Sequence, residues 1–381
     1  MKKICFVTTV PVTLRTFVLP LANYIHANTN WDISFICNYD EAFAAELPDY
    51  IHYIPVPMER GISLGGILAM LKMVQIFRRE KFDLVQYSTP NASLYASLAA
   101  WIARIPVRLY CQWGMAYVGF HGMKRKIFKL VEKTVCTLST WVEPDSYGNL
   151  HFSHSEGLYS PRKSSVIWNG SASGVDLEKF DISQKNIWRT SIRQKYNITD
   201  DATVFCFIGR ITGDKGINEL FTAFRSLSEI NPNTYLMMVG NVEKSDSVDS
   251  TLYNWAKDCP HVLFCGYTNV VEQFLSASDV YVLPSYREGF GSAVIEAEAM
   301  GIPVIVSDIP GPTDAMVADK TGLVVKKADA GDLQCAMETL SKEPALRSRM
   351  GSEAYTFAKE NFEQQKLFAA ILSDRRRLLH E

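Results

Sequence analysis

No apolar run in the 381-residue sequence is long enough to cross a membrane as a helix, which requires about 18 residues or more. The nearest candidate, residues 92–105, is too short and contains Arg104. At the start, Lys2 and Lys3 precede an apolar stretch as they would in a signal peptide, but Thr8 interrupts it and no cleavage site follows. We therefore expect an initial β-strand, in a cytoplasmic protein that does not span a membrane.

The sequence also lacks any C-x-x-C pair, although it contains eight cysteines. They are scattered, mostly within strand-like apolar runs, at Cys5, Cys37, Cys111, Cys136, Cys206, Cys259, Cys265 and Cys335. This distribution favours reduced thiols in the core of a cytosolic protein over a disulfide framework.

Neither sign of charge is in excess, since 39 lysines and arginines accompany 41 aspartates and glutamates and give a net charge of −2. No global field therefore attracts nucleic acid, and any basic surface must be local. With 47% apolar, 12% aromatic and 21% charged residues, the composition is that of a globular protein. A chain of this length predicts two domains.

Two nucleotide-binding signatures are missing. The sequence contains neither the G-x4-G-K-[ST] pattern of a phosphate-binding P-loop nor the G-x-G-x-x-G fingerprint of dinucleotide-binding proteins. An NAD-dependent oxidoreductase is therefore disfavoured.

Strand-like and helical patterns alternate along the chain. In the first half, the predicted elements are strands at 4–10, 33–37, 84–87 and 107–111, a loop at 11–16, and helices at 17–28, 63–79 and 93–103. In the second half, they are strands at 204–208, 235–239, 262–264, 280–284, 304–307 and 322–325, and helices at 220–228, at 270–278 and after Gly291. This alternation is typical of α/β proteins with parallel sheets covered on both faces. We expect two Rossmann-like, doubly wound domains, with the join near residues 166–180.

Two glutamates belong to the most informative local pattern. Residues 286–301 read YREGFGSAVIEAEAMG, with seven residues between Glu288 and Glu296. A buried strand precedes the glycine turn and a helix follows it, so the turn opens a helix N-terminus that favours an anion. Glu296 shares a helix face with Ser292, whereas Glu298 points away. The pattern suits a polyhydroxylated, phosphorylated ligand, although glutamates alone are more often solvated or bonded to the backbone.

A cationic pattern follows the first strand of the second half. Gly209 and Arg210 end that strand, and Lys215 and Gly216 precede a helix. Arginine can hold a phosphate with two donors and lysine supplies a point charge, so the loop is a plausible diphosphate site. A solvated surface loop is the commoner use of such residues when composition alone is considered.

Together these segments resemble the retaining glycosyltransferases of family 4, which have the GT-B fold. The segment at Glu288 resembles the family's E-x7-E signature, and residues 209–216 resemble its G-R-x4-K-G motif. Residues 265–267 and 169–180 match weaker family patterns in the same order. The last helix, at about 362–381, resembles the family's closing helix, which crosses back onto the first domain.

The resemblance implies the GT-B arrangement of two Rossmann-like domains facing a central cleft. The acceptor-side domain would cover residues 1–165 with the closing helix, and the nucleotide-sugar-binding domain would cover residues 166–361. By this resemblance, Arg210 and Lys215 of this sequence would neutralise the leaving diphosphate, and Glu288 would contact the donor sugar. The other implied donor-binding residues are Gly209, Gly266, Tyr267, Gly289, Phe290, Gly291, Ser292 and Glu296, the last of which would bind the ribose hydroxyls.

The first domain matches the family more loosely. Residues 8–17, TTVPVTLRTF, lie where many members have a glycine-rich loop, and they resemble the bacterial branch that extends lipid-linked oligosaccharides. Trp113 takes the position of a family histidine. His121, a few residues on, is the candidate to replace that histidine, although loop histidines are more often exposed to solvent. The acceptor-side expectations are Thr13, Leu14, Arg15, Trp113, Gly114 and His121.

Residues 122–131 form a basic amphipathic pattern. The expected membrane-facing cations are Lys124, Arg125, Lys126 and Lys129. On an anionic lipid surface each cation would contribute about 1 kcal/mol. A solvated helix face explains the pattern equally well. The run from Arg375 to Arg377 would add to the same surface or stabilise a helix C-terminus.

The resemblance thus implies retaining transfer of a hexose or N-acetylhexosamine from a nucleotide diphosphate sugar, UDP-linked, to a lipid-linked saccharide in capsule or O-antigen biosynthesis. The enzyme would be peripheral on the inner face of the cytoplasmic membrane. No D-x-D occurs, so we expect charge neutralisation by protein cations, without a metal or other cofactor. The alternatives are a GT-B-like sugar-nucleotide epimerase, which needs no acceptor, and a non-catalytic subunit that binds a nucleotide sugar.

Overall fold

The computed structural model describes residues 1–58, 61, 63–243 and 248–381, and it divides the chain into two compact units. The first unit comprises Met1–Ser173 and Gln365–Glu381, and the second comprises Gly174–Gln364. Residues 166–173, which the sequence analysis assigned to the second domain, lie in the first unit. There the Ser171 N–H donates to the Asp145 carbonyl at 2.7 Å.

The first unit contains a six-stranded parallel sheet. Its strands are β1 Lys3–Val7, β2 Asp32–Cys37, β3 Ile51–Pro55, β4 Leu84–Tyr87, β5 Val107–Gln112 and β6 Trp141–Pro144. The spatial order is β3-β2-β1-β4-β5-β6. The winding direction reverses between β1 and β4, and ligand sites of such sheets lie at the carboxyl ends of the strands at this switch point.

Helices connect these strands. They are α1 Pro11–Thr13, a π-helix Leu14–Val18, α2 Leu19–Asn28, α3 Glu41–Glu46, α4 Leu64–Glu80, α5 Pro90–Ile102, a 3-10 helix Ala116–Gly119, α6 Gly122–Leu138, α7 Tyr147–Ser155 and a 3-10 helix Pro161–Lys163. The loop predicted at 11–16 is wrong, because the chain is helical from Pro11 onwards. A proline is favourable at the first helical position, and Leu14 and Val18 then face the core.

The second unit repeats this topology. Its strands are β7 Thr203–Ile208, β8 Thr234–Val239, β9 Val262–Gly266, β10 Val280–Leu283, β11 Val304–Ser307 and β12 Gly322–Val325. All are parallel, in the order β12-β11-β10-β7-β8-β9, so the switch point lies between β7 and β10. The helices are 3-10 Ile182–Gln184, α8 Lys185–Lys195, 3-10 Gly213–Lys215, α9 Ile217–Ile230, α10 Ser250–Asp258, α11 Val271–Ala277, α12 Ser292–Ala299, α13 Ala330–Lys342 and α14 Pro344–Asn361.

Each unit has its own hydrophobic core around its sheet. The inner strands are buried along their length because helices cover both faces, which explains their continuous apolar sequences. The edge strands β3 and β6 were not predicted, since their short sequences IHYIP and WVEP lack such runs. All eight cysteines are free thiols, and only Cys335 is exposed.

The last helix, α15 Gln364–Leu378, packs on the first unit through a buried arginine. Arg375 is 2% exposed and forms an ion pair with both carboxylate oxygens of Glu143 on β6. Its guanidinium also donates to the Gln86 side chain on β4, at 3.2 and 3.1 Å. The expectation that Arg375 adds to a lipid-facing surface is therefore wrong. Within the described ranges, no helix is both long and apolar enough to cross a membrane.

We expect Arg375→Ala to lower the free energy of unfolding by about 3–5 kcal/mol, because it leaves the Glu143 carboxylate buried without its counter-charge. Guanidinium denaturation followed by circular dichroism measures this. Arg376→Ala is the matched control, since Arg376 is exposed and donates to the Asn28 carbonyl. Equal effects of the two substitutions would contradict the structural role of the buried pair.

Candidate functional site

Most of the predicted donor-side residues lie in two loops of the second unit. One loop, residues 209–216, follows β7, and the other, residues 284–291, follows β10. The two strands are hydrogen-bonded neighbours at the switch point, with Val280 beside Phe205. Both loops therefore leave the same edge of the sheet, where α/β proteins bind ligands.

Two glycines allow these loops to pack closely. Gly216 has φ +72°, and a Cβ placed on it would lie 2.0 Å from the Pro284 carbonyl oxygen. Gly311, in the loop after β11, has φ +101°, and its Cβ would lie 2.1 Å from the Gly289 carbonyl oxygen. Only glycine fits such contacts. The sequence analysis did not single out Gly311, which has no charge or motif spacing to mark it.

An ion pair joins the two loops. The Lys215 ammonium lies 2.5 Å from Glu288 Oε1, and both side chains are largely buried, at 18% and 13% exposure. The Ser285 hydroxyl donates to the same carboxylate oxygen at 2.7 Å. The structure thus brings together two predicted site residues and adds Ser285. A lysine and a carboxylate at one point can contact an anion and sugar hydroxyls, respectively.

A second network fixes the backbone of the site. The Asp214 carboxylate accepts from the Thr212 hydroxyl at 2.6 Å and from Arg287 at 2.9 Å, and its carbonyl accepts from the Tyr286 N–H at 2.9 Å. Burial alone would raise the pKa of Asp214, but the Thr212 hydroxyl and the charges of Arg287, Arg210 and Lys215 hold it below its ordinary value. Sequence reasoning missed Asp214, although it lies within the cationic motif.

Glu296 lies on α12, which begins after Gly291 in the left-handed region at φ +89°. Burial raises the pKa of Glu296 to about 7, with Glu272 adding to the shift and Lys179 opposing it. Glu298, two residues on, is fully buried rather than solvated. Burial raises the pKa of Glu298 well above its ordinary value, despite the nearby Thr321 hydroxyl.

The remaining donor-side candidates differ in accessibility. Arg210 is half exposed and pairs with Glu243 at 3.0 Å. Gly266, the last residue of β9, and Tyr267, which follows it, are both exposed. The Phe290 side chain is in the core, 5.3 Å from the Phe362 ring between centroids, so only its backbone is available to a ligand.

Hydroxyls occupy the switch point of the first unit. Thr9 follows β1 and Thr89 follows β4, and their hydroxyl oxygens lie 2.9 Å apart. The Ala92 N–H, in the first turn of α5, donates to the Thr9 hydroxyl at 3.2 Å. Thr89 has φ +69°, a strained conformation for a β-branched residue of the kind that clusters at binding sites. Thr89 was not among the predicted residues.

The predicted acceptor-side residues are not all accessible. Leu14 is fully buried and is therefore wrong as a ligand contact. Arg15 is exposed and held by Glu46 at 2.7 Å. Thr13 is half-buried on the turn before the π-helix.

Trp113 and His121 have different surroundings. The Trp113 ring packs against Phe17, with 5.5 Å between ring centroids, and Gly114 follows it at φ +106°. His121 is exposed and immediately precedes α6. The structure therefore gives Trp113 a fixed position beside the first helical segment.

The basic helix α6 carries two kinds of cation. Arg125 and Lys129 pair with Glu156, at 3.3 and 2.8 Å. Lys129 and Arg125 lower the pKa of the Glu156 carboxyl below its ordinary value, although burial acts in the opposite direction. Lys124 lies over the Phe120 ring at 4.2 Å, and Lys126 is exposed. Two of the four predicted cations are thus neutralised by a neighbouring carboxylate.

Comparison with known proteins identifies the family. The profile described as "Glycosyl transferase 4-like" matches residues 3–142, and "Glycosyl transferases group 1" matches residues 189–357. The chain is 30% identical over 332 residues to "Capsular polysaccharide biosynthesis glycosyltransferase CapM" of Staphylococcus aureus, covering 86% of each chain. This chain belongs to glycosyltransferase family 4. The Lys215–Glu288 pair of this glycosyltransferase lies within residues 189–357, the region that matches the group 1 profile.

Other relatives and solved structures agree with this family. The glycosyltransferase is 28% identical over 338 residues to an Escherichia coli protein, "UDP-Gal:alpha-D-GlcNAc-diphosphoundecaprenol alpha-1,3-galactosyltransferase", covering 84% of this chain and 82% of that one. Its fold is similar to sucrose-phosphate synthase from Thermosynechococcus elongatus, with a TM-score of 0.81 and 19% identity over the whole of both chains. HepE from Anabaena in complex with UDP has a TM-score of 0.78 and 19% identity, covering 99% and 100%. The predicted GT-B fold class is confirmed.

The raised pKa of Glu296 predicts a pH dependence of stability. Between about pH 4.5 and 7 the folded protein holds a proton that the unfolded chain has released, so the free energy of unfolding falls as pH rises through this window. The total change is on the order of 3 kcal/mol. Glu296→Gln removes this component, so the variant should gain stability relative to wild type as pH rises through this window. Thermal melts at pH 5, 6, 7 and 8 test this, and parallel curves would contradict it.

Proposed function

We propose that this glycosyltransferase moves a hexose or N-acetylhexosamine from a UDP-linked sugar to a lipid-linked saccharide acceptor, with retention of the anomeric configuration. The observation that carries the proposal is the contact of Lys215 with Glu288 at the switch point of the second sheet. The names of the E. coli relative and of the Campylobacter jejuni "N,N'-diacetylbacillosaminyl-diphospho-undecaprenol alpha-1,3-N-acetylgalactosaminyltransferase" support the donor and acceptor classes. The latter is 24% identical over 288 residues, or 74% of each chain.

Cleavage of the sugar–diphosphate bond leaves negative charge on the diphosphate and positive charge on the sugar ring. Arg210 and Lys215 stabilise the first, together with the N-terminus of α12. Glu288 orients the sugar through its hydroxyls. Lys215 and Glu288 contact each other in this structure. A bound donor replaces that contact with two others, because its phosphate contacts Lys215 and a sugar hydroxyl contacts Glu288.

The two halves of the chain contribute different chemistry to this reaction. The second unit offers cations and carboxylates, which suit a phosphorylated sugar donor. The first unit offers the Thr9 and Thr89 hydroxyls and the Trp113 ring, which suit an uncharged saccharide acceptor. The protein cations take the charge-neutralising role without a metal, and α6 brings the enzyme to the inner face of the cytoplasmic membrane.

A panel of nucleotide sugars tests the donor class. We expect one UDP-sugar to be hydrolysed slowly alone and transferred rapidly to a synthetic diphosphoundecaprenol-linked acceptor, with unchanged rates in EDTA. The anomeric configuration of the product is read by NMR. Release of an epimerised nucleotide sugar without an acceptor would identify an epimerase instead. Binding without any turnover would indicate a non-catalytic subunit.

Substitutions at the ion pair and at Arg210 test the residue roles. We expect Arg210→Ala and Glu288→Gln each to lower the transfer rate by about 10²-fold or more, since each removes a group that stabilises the transition state. Arg210→Ala should leave thermal stability almost unchanged, because its exposed ion pair contributes about 1 kcal/mol or less.

Arg225→Ala is the matched control, since Arg225 is an exposed arginine of the same unit that lies over the Trp255 ring. Its transfer rate should equal that of wild type. Unchanged transfer by Arg210→Ala or Glu288→Gln would contradict the assignment of the donor site.

A further inference from the structure

Two ion pairs of opposite polarity join the two loops at the switch point of the second sheet. Asp214 and Lys215 are consecutive in the loop after β7, and Arg287 and Glu288 are consecutive in the loop after β10. We call Lys215–Glu288 the inner pair, because its side chains are largely buried. We call Asp214–Arg287 the outer pair, because its side chains are 33% and 37% exposed and lie 2.9 Å apart.

The outer pair is fixed to the fold on both sides. The Thr212 hydroxyl donates to the Asp214 carboxylate at 2.6 Å, and the Asp214 carbonyl accepts from the Tyr286 N–H at 2.9 Å. The Tyr286 hydroxyl in turn donates to the Glu219 carboxylate of α9 at 2.6 Å. The outer pair and these bonds therefore anchor each loop at the position that directly precedes its residue of the inner pair.

In the proposed function, donor binding opens the inner pair. A donor phosphate contacts Lys215 and a sugar hydroxyl contacts Glu288, so these two side chains separate. Among the residues that the structure describes, the outer pair is then the ion pair that still connects the two loops. The distance between the ammonium and the carboxylate matters, because a displacement of about 1 Å at a site can lower a rate by about 10²-fold.

Arg287 is poorly placed to contact a phosphate itself. Its Nε is buried and makes no hydrogen bond to any described residue. Its Nη2 donates to the Asp214 carboxylate. A phosphate held by two neighbouring N–H groups of an arginine needs both of them to be accessible. Here one is withdrawn from solvent and the other is bonded to Asp214, so the geometry favours a role in holding the loop of Asp214.

We propose that the outer pair is a positioning element of the donor site: Asp214 and Arg287 hold the two loops in register while the donor separates Lys215 from Glu288. Neither residue of the outer pair touches the donor. The inference rests on the proposed function, from which it takes the exchange of partners at the inner pair. Loss of the outer pair should weaken binding of a nucleoside diphosphate without weakening binding of the nucleoside.

Binding of UDP and of uridine to the full chain tests the proposal, with dissociation constants from NMR titration. We expect Asp214→Asn and Arg287→Met each to raise the Kd of UDP by about tenfold, because Lys215 is no longer held where the diphosphate binds. The Kd of uridine should stay at the wild-type value, since uridine has no diphosphate. The double variant should bind UDP as each single variant does, because either substitution removes the same pair.

The direction of the Asp214→Asn effect distinguishes positioning from direct contact. If Arg287 bound the phosphate, removal of the Asp214 charge would release the arginine and lower the Kd of UDP. A lower Kd for this variant would therefore overturn the proposal. Additive losses in the double variant would overturn it as well, since they would show independent roles. An equal loss of uridine binding would indicate a general structural defect and would also overturn it.

The ion pair of Lys320 with Glu353, at 3.1 Å in the same unit, provides matched controls. Glu353→Gln and Lys320→Met remove the same kinds of charge, and both variants should bind UDP as wild type does. All of the variants should melt close to the wild-type temperature, because partly exposed ion pairs contribute little to stability. An equal loss of UDP binding in these controls would contradict a specific role of the outer pair.

Transfer assays separate this inference from the proposed function. If wild type binds UDP but transfers no sugar, and the outer-pair variants bind UDP more weakly, the function fails and the positioning role stands. If wild type transfers sugar and the outer-pair variants bind UDP and transfer as wild type does, the positioning role fails alone. If transfer falls together with UDP affinity while uridine binding is kept, both are supported. If wild type binds no UDP, both fail.

Discussion

The parallel pairing of β7 with β10 is the constraint on which the proposed donor site depends. Strands paired this way end at the same edge, so the loops that follow them meet although Lys215 and Glu288 are 73 positions apart in the chain. Gly216 then lets one loop lie against the carbonyl of Pro284. Once the loops are in contact, the Lys215 ammonium and the Glu288 carboxylate form an ion pair. Each charge compensates the other, as two largely buried charges must.

The same topology in the first unit produces a chemically different edge. There the groups at the switch point are hydroxyls held by hydrogen bonds, with an aromatic ring nearby. One strand order thus presents two different sets of side chains, because the strands fix where loops emerge and the loop residues decide which groups lie there.

Arg375 and Glu296 are ionisable groups that the fold withdraws from solvent to different degrees. Arg375 joins the last helix to β4 and β6, and its charge is compensated by Glu143. Glu296 is only partly buried, and the desolvation of its carboxyl raises its pKa to about 7, so its protonation changes near neutral pH. The Arg375–Glu143 pair ties the last helix to the sheet of the first unit, and Glu296 is a titratable group on the helix that follows the loop at Glu288.

The sequence by itself determined the α/β class, the duplicated doubly wound topology and the two donor-side motifs, because helical and strand periodicity and glycine turns are local properties. Local patterns could not reveal Ser285 and Asp214 as partners, or the burial of Leu14 and Arg375. Those facts depend on strand order and on which helix face meets a neighbour. Contacts across 73 or 232 positions arise only when the sheet is assembled, so only the tertiary structure decided them.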